Sequence, residues 1–340
     1  MKKMLALLVI ALAAGPLFAQ ATALGAPIAT VRLTKTEIIY DSSFRADVAK
    51  VEKLRGSPLS EEERKAFLDD VMNDLLFFQF CARDGITVAD SEVESYIAKV
   101  RSQLGPSVTD AQFEAYLTSQ GIMLADLRSY YRKQILVQRW LTKDKAAEIA
   151  AMPKITGSDI MSVYELYKSK LVRPDTARVA FLFVAFKDKT AEDKARSAAE
   201  AKALVTRLEK GESFDALRLG AVDGGSYNAS RDYFFFERSE AYLKQFGSRF
   251  YDTVFALKDG SYSAPFETDN GWWIVRRAEF FPQKTLELSD PVKLGQATTV
   301  EAYLSQLLAQ QRESEFIQKA FAELFTKLRS QADIKILGKP

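Results

Sequence analysis

The 340-residue sequence contains no histidine and only one cysteine. With no imidazole, a Ser-His-Asp or Cys-His nucleophile pair and a His-ligated zinc or iron centre are excluded. Cys81 alone can build neither a cysteine-cluster metal site nor an intramolecular disulfide. Net charge is almost absent too: 47 Lys plus Arg stand against 45 Asp plus Glu, so no electrostatic footprint argues for a nucleic-acid partner. Beyond the N-terminal leader, no apolar run reaches the about 20 residues that a membrane span needs. What remains is carboxylate chemistry, lysine chemistry or work done by binding alone, and no motif calls for a cofactor.

Hydrophobic residues make up 47% and charged residues 27%, the balance of an ordinary globular protein. The length suits two modules at roughly 100–200 residues each. Lys2 and Lys3 precede the apolar run MLALLVIALAAGPLF, and Ala19-Gln20-Ala21 offers a small-x-small cleavage site. Residues 1–21 therefore read as a secretory signal peptide, with an uncleaved N-terminal anchor as the alternative. No cysteine follows the run to carry a lipid. The mature chain is expected in an exported compartment, without a stable membrane anchor.

Local signals predict a strand over 28–33, then a helix opened by a capping box of Thr34 and Glu37. Ser60 with Glu63 opens a long amphipathic helix whose stripe is Phe67, Val71, Leu75 and Phe78, ended by Gly85. Cys81 continues that stripe and reads as a small buried hydrophobe. Further helices are predicted from Asp90 to Gly105, from Thr109 with Gln112 to Gly121, over 124–149, and from Thr156 towards Pro174. The pattern then changes to a strand over 179–186, an alanine-rich helix over 191–210 and a short helix after Ser213. A Gly/Ser/Asn loop over 223–230, the run Tyr233-Phe234-Phe235-Phe236, a helix over 245–257 and a strand over 272–278 follow. Thr298 with Glu301 caps a last helix reaching Gln331, and residues 334–336 can form one more strand. Its apolar face needs a partner, so the C-terminal helix and strand are predicted to return to the N-terminal helices; a coiled-coil dimer is the alternative.

Several segments carry a family likeness. Residues 28–37, LLFFQFCARDGITVADSEV at 75–93 and QFEAYLTSQGIMLADLRSYYRKQ at 112–134 resemble the core of exported foldases of the SurA and PrsA type. GESFDAL at 211–217, Phe250 with Phe255-Ala256-Leu257, and GSYSAPFETDNGWWIV at 260–275 resemble a parvulin-type peptidyl-prolyl isomerase domain. The resemblance implies an α+β protein: a mostly helical core over 22–172, an inserted parvulin-like domain over 173–281, and a linker with returning helix and strand over 282–340. Parvulins place two histidines at the floor of the proline pocket, and the matching positions here are Phe181 and Trp273. Asp223 matches a polar loop residue of the family, and Asp232 falls in its altered Asp-Leu-Gly tripeptide. Phe181, Asp223, Asp232 and Trp273 are thus the positions of an altered catalytic pocket. Phe234, Phe246, Phe250, Asn270 and Trp273 are the candidate substrate-binding residues.

Trp273 keeps an indole N–H donor, yet neither ring replaces an imidazole hydrogen bond. Aromatic rings bury much area and suit tolerant recognition of unfolded segments. Of the eight aromatics at 233–236, 246, 250, 272 and 273, about half are expected to be plain packing, because alternate strand residues face opposite sides. Paired carboxylates such as Asp69-Asp70 and Glu61-Glu62-Glu63 fall on helix surfaces or first turns, where solvation and the helix dipole explain them. The resemblance implies an ATP-independent chaperone of the periplasm that binds unfolded or nascent envelope polypeptides, outer-membrane β-barrel precursors above all. A working isomerase with a modified proline pocket is the competing expectation, and a scaffold or lipid-interface protein is a third.

Overall fold

A computed structural model describes residues 25–222 and 224–339. The leader at 1–21 with its cleavage site, and Asp223, lie outside the described residues. Two compact units divide the chain: residues up to Lys154 joined by those from Glu313 onward, and Ile155–Arg312. The fold is mixed α+β with a mostly helical first unit, and the second is inserted in it.

In the first unit the elements are β1 (Pro27–Arg32), β2 (Thr36–Tyr40), α1 (Asp41–Arg55), α2 (Glu61–Arg83), α3 (Asp90–Leu104), α4 (Asp110–Ser119), α5 (Leu124–Asp144) and α6 (Ala146–Ala150). Capping boxes open α2 at Ser60 with Glu63 and α4 at Thr109 with Gln112. The box predicted at Thr34 does not form. Instead the Gln79 Oε1 atom accepts the backbone N–H groups of Leu33 (2.9 Å), Thr34 (2.8 Å) and Lys35 (3.2 Å), which fixes a hairpin turn. The β-branched and aromatic run Ile38-Ile39-Tyr40 then pairs with β1, and the helix starts only at Asp41. The predicted single helix over 124–149 is likewise two, broken at Lys145.

Helix α2 is the pillar of this unit, and its buried surface is wider than the stripe read from the sequence. Leu76 and Phe77 are fully buried and Met72 nearly so, while Leu75 and Phe78 are only partly covered. One side of α2 meets the hairpin and α1 through Phe44 and Val48, another meets α5 through Trp140. Cys81 is buried, and burial pushes its thiol up to about 12, with the Asp84 and Asp144 carboxylates adding to the shift. It is an inert packing residue.

The second unit contains α7 (Gly157–Tyr167), β3 (Val172–Arg173), β4 (Thr176–Ala185), α8 (Ala191–Glu209), α9 (Phe214–Leu219), β5 (Asn228–Ala229), β6 (Phe234–Glu237), α10 (Glu240–Phe246), α11 (Ser248–Ala256), β7 (Phe266–Thr268), β8 (Gly271–Phe281) and β9 (Lys284–Thr285). The helix predicted over 245–257 is therefore two, α10 and α11, meeting at Gly247, whose φ is +80°. Antiparallel β4 and β8 form the centre of a five-stranded sheet, with β5 and β6 along the other side of β4 and β7 beyond β8. Helices α8 and α9 cover one face through Leu204, Leu208, Phe214 and Leu217; α11 covers the other through Phe250 and Val254. Ile160 and Tyr164 of α7 pack on Leu286, Val300 and Leu304, which groups residues 155–172 and 282–312 with the sheet.

The last helix, α12 (Val300–Gln331), contributes residues to both units. Its cap is Thr299, whose Oγ1 accepts the Ala302 N–H at 3.2 Å, rather than Thr298. In the first unit Ala320, Leu324 and Leu328 join the core around α2, and β10 (Asp333–Ile336) pairs antiparallel with β1. The C-terminal segment thus returns to the N-terminal one, and this burial supplies the partner its amphipathic face requires.

Candidate functional site

The sheet of the second unit decides which aromatic side chains meet. Register places Phe181 opposite Val275 and Phe183 opposite Trp273 across β4 and β8. Successive strand residues alternate faces, so Trp272 turns to the α8 side and Trp273 to the α11 side. There the two residues standing at the parvulin histidine positions touch: the Phe181 and Trp273 ring centroids lie 4.9 Å apart, edge to face. Phe250 supports Trp273 from beneath at 5.0 Å, also edge to face. Phe234 approaches Phe181 at 6.1 Å and stacks on Phe246 at 6.3 Å, and Phe246 stacks on Phe250 at 4.9 Å. Edge-to-face and offset arrangements are those the ring quadrupoles favour.

Five candidate residues, Phe181, Phe234, Phe246, Phe250 and Trp273, therefore form one aromatic lattice. Phe250 is fully buried, so it carries the lattice and cannot itself contact a ligand. The other four are half-buried and present ring surface. Of the eight aromatics singled out in the sequence, Phe236 and Phe250 are fully buried, and Tyr233 and Trp272 pack against the core on the opposite face. Strand β6 lies at the sheet's margin, which leaves Phe234 and Phe235 partly open. Asp232 is exposed and lies before β6, outside the lattice. Asn270 sits in the turn between β7 and β8, where its Oδ1 accepts from Lys189 Nζ at 3.2 Å and its carbonyl accepts from the Phe186 N–H at 2.9 Å.

Two residues were missed by sequence reasoning. Phe183 lies 4.2 Å from Trp273 and extends the lattice; its position two residues beyond Phe181 on the same strand was the available signal. Thr268 is the other. Its Oγ1 accepts the Trp273 indole N–H at 3.0 Å and donates to the Gly271 carbonyl at 3.1 Å. The indole donor that the sequence left available is thus engaged within the protein. The main chain beneath Phe181 is engaged as well: its N–H donates to Ser230 Oγ at 3.1 Å, and its carbonyl accepts the Ser230 N–H at 3.1 Å. Among the described residues, the lattice offers hydrocarbon and π surface, and its indole donor is already bonded within the protein.

The loop from β4 to α8, which bonds Asn270 through Phe186 and Lys189, is held by one carboxylate. Asp193 Oδ2 accepts the backbone N–H groups of Lys187 (2.7 Å), Asp188 (3.1 Å) and Lys189 (3.1 Å). Burial alone would raise its pKa, but these bonds and that from Arg196 bring it below the usual carboxylate value. A carboxyl whose folded pKa is depressed stabilises the fold above its unfolded pKa, and that stabilisation disappears as pH falls through the folded value. Urea midpoints measured from neutral to acid pH are expected to fall for the native chain and to fall less for Asp193→Asn, which starts lower. An identical acid limb in both proteins contradicts this assignment.

The helical first unit and the sheet-bearing second unit with its pocket-like aromatic face define a two-part class: a foldase-type core carrying a parvulin-like domain. Comparison with known proteins gives the same division. A SurA-like N-terminal domain model matches residues 1–141, and a PPIC-type PPIase domain model matches residues 155–290. Chaperone SurA of Methylobacillus flagellatus is 24% identical over 252 residues, covering 71% of this chain and 53% of that protein. Foldase protein PrsA of Clostridium kluyveri is 24% identical over 284 residues, covering 77% of each. A solved structure described as one of two SurA-like chaperones of Campylobacter jejuni, PEB4 and Cj1289, overlaps 91% of this chain at 17% identity, with a TM-score of 0.40. The chain is of the SurA/PrsA type, and it spans little more than half the length of the SurA relatives it matches.

Proposed function

We propose that this protein is an exported, ATP-independent chaperone or foldase that holds non-native polypeptide, and that its parvulin-like unit grips clients rather than isomerising prolyl bonds. The observation that carries the reading is the Phe181–Trp273 contact, with the only indole donor at that point bonded to Thr268. Prolyl isomerisation faces a barrier of about 18–20 kcal/mol from amide resonance. Lowering it requires groups that bind the twisted amide better than either planar form, through placed hydrogen bonds in a dry site. The aromatic lattice supplies the dry surface without the hydrogen bonds. Half-buried rings with few rotatable bonds lose little entropy on contact, which suits binding many sequences loosely.

The names of the SurA and PrsA relatives support the chaperone reading. The signal-like leader supports export to the periplasm, and no described helix is long and apolar enough to cross a membrane. Outer-membrane β-barrel precursors are the proposed clients, on the likeness to SurA. The test is a coupled cis/trans assay on Xaa-Pro peptides run beside suppression of aggregation of an unfolded barrel protein. Suppression with no rate above the uncatalysed reaction is expected, and Phe234→Ala with Phe246→Ala should weaken suppression while both units stay folded. A parvulin-like isomerase rate without suppression refutes the proposal.

A further inference from the structure

A second feature of the sheet-bearing unit lies away from the aromatic lattice, on the side of α9. Between the end of α9 and the edge strand β5 is a groove of about 400 Å³, lined by Arg218, Leu219, Val222, Asn228, Ala229 and Arg231 among others. Leu219 and Val222, 71% and 67% exposed, both line the groove and give it an open aliphatic wall. Strand β5 has β4 on one side only. Asn228 pairs with Phe183, and the Ser230 N–H bonds the Phe181 carbonyl. By antiparallel alternation, the backbone N–H and C=O of Ala229 point outward into the groove's side.

Among the described residues, the charged side chains lining the groove are both arginines. Arg218 is nearly buried, with its Nε on Asp215 Oδ1 at 3.1 Å and Nη1 on the Ser230 and Arg231 carbonyls. Asp215 is shared with Arg276 at 3.0 Å, and Arg178, Arg218 and Arg276 all lie 5.3–5.8 Å from the Tyr233 ring centroid. One carboxylate thus serves two of three clustered guanidiniums. Arg231 is exposed, and its side chain has no partner among the described residues.

We propose that this groove is a second client-binding site, taking an extended polypeptide segment in which acidic side chains alternate with aliphatic ones. The outward edge of β5 would pair with the segment's backbone, Leu219 and Val222 would cover its aliphatic side chains, and Arg231 would meet its carboxylates. Main-chain pairing at a sheet edge gives affinity without strict sequence, and the flanking side chains set the preference. Charge complementarity is what selects this occupant over a neutral segment. The inference rests on the reading that the protein holds non-native polypeptide.

Fluorescence anisotropy on the full chain distinguishes the two, using two labelled unstructured peptides. One alternates Asp and Glu with Leu and Ile; the other is neutral and rich in Phe and Tyr. The acidic peptide is expected to bind in a salt-sensitive way and to lose about tenfold in affinity with Arg231→Glu, while the aromatic peptide is unaffected. A peptide with Lys at the acidic positions should bind Arg231→Glu better than the native chain. Unchanged affinity of the acidic peptide for Arg231→Glu, with the aromatic peptide still bound, overturns the groove and leaves the chaperone reading standing. Binding of neither peptide overturns both. Loss of binding to vesicles containing an anionic lipid in Arg231→Glu, with acidic-peptide affinity intact, assigns the groove to a lipid surface and overturns the proposed occupant.

Discussion

Alanine at Gly271 will loosen the sheet on which the aromatic lattice is built. Gly271 opens β8 with φ +155°, and an added Cβ would sit 2.2 Å from the Val184 carbonyl oxygen and 2.7 Å from the Phe183 ring. The first of these is backbone in the neighbouring central strand, so it cannot move aside cheaply. The Gly271 carbonyl also accepts from Thr268, which in turn holds the Trp273 indole. A shift at this point therefore reaches the Phe183–Trp273–Phe181 contacts directly. The cost is on the order of 3 kcal/mol, as for overpacking combined with an unfavourable backbone angle. Native-state hydrogen exchange should show faster opening of residues 176–185 with protection of α2 unchanged, and aggregation suppression should drop with it. Unaltered exchange in β4 would show that the close approach at Gly271 is not a structural requirement.

Phe77→Ala is expected to do comparable or greater damage to the first unit. Phe77 is fully buried, and its ring lies 6.1 Å from Trp140 of α5 and 5.6 Å from Phe321 of α12. It is thus a point where α2, α5 and the returning C-terminal helix are joined. Deleting a buried phenylalanine ring removes its transfer free energy and leaves a cavity, about 3–5 kcal/mol together. Arg329, which reaches Asn73 and Asp69 from the same helix, is too exposed to compensate. The urea midpoint followed by Trp140 fluorescence, with Trp272 and Trp273 replaced by Phe in both proteins, should fall sharply; a midpoint within experimental error of the parent would contradict the central role given to α2.

Much of the first unit was legible because its signals are local. The boxes at Ser60 and Thr109 need only the residues three positions on, and α2 and α4 start where those pairs place them. Thr34 and Glu37 carry the same pattern and fail, because Gln79, 45 residues downstream of Thr34, binds three consecutive backbone N–H groups and fixes a turn there. The stripe on α2 was read too narrowly for a related reason. A helix packed on several sides has no single apolar face, and which sides are covered depends on elements far away in sequence. In the sheet, alternation placed Trp272 and Trp273 on opposite faces, but register alone set Phe183 against Trp273.

Composition by itself removed imidazole chemistry from this protein, since a residue type that is absent cannot be supplied by any fold. It also put aromatic carbon at positions 181 and 273, and short-range capping determined where most helices begin. Folding decided the rest: which rings remain open at the surface, that Phe250 lies beneath them, and that the indole N–H of Trp273 is bound by Thr268. Those outcomes depend on strand register and on close approach between distant segments, and neither is encoded within a short stretch of chain.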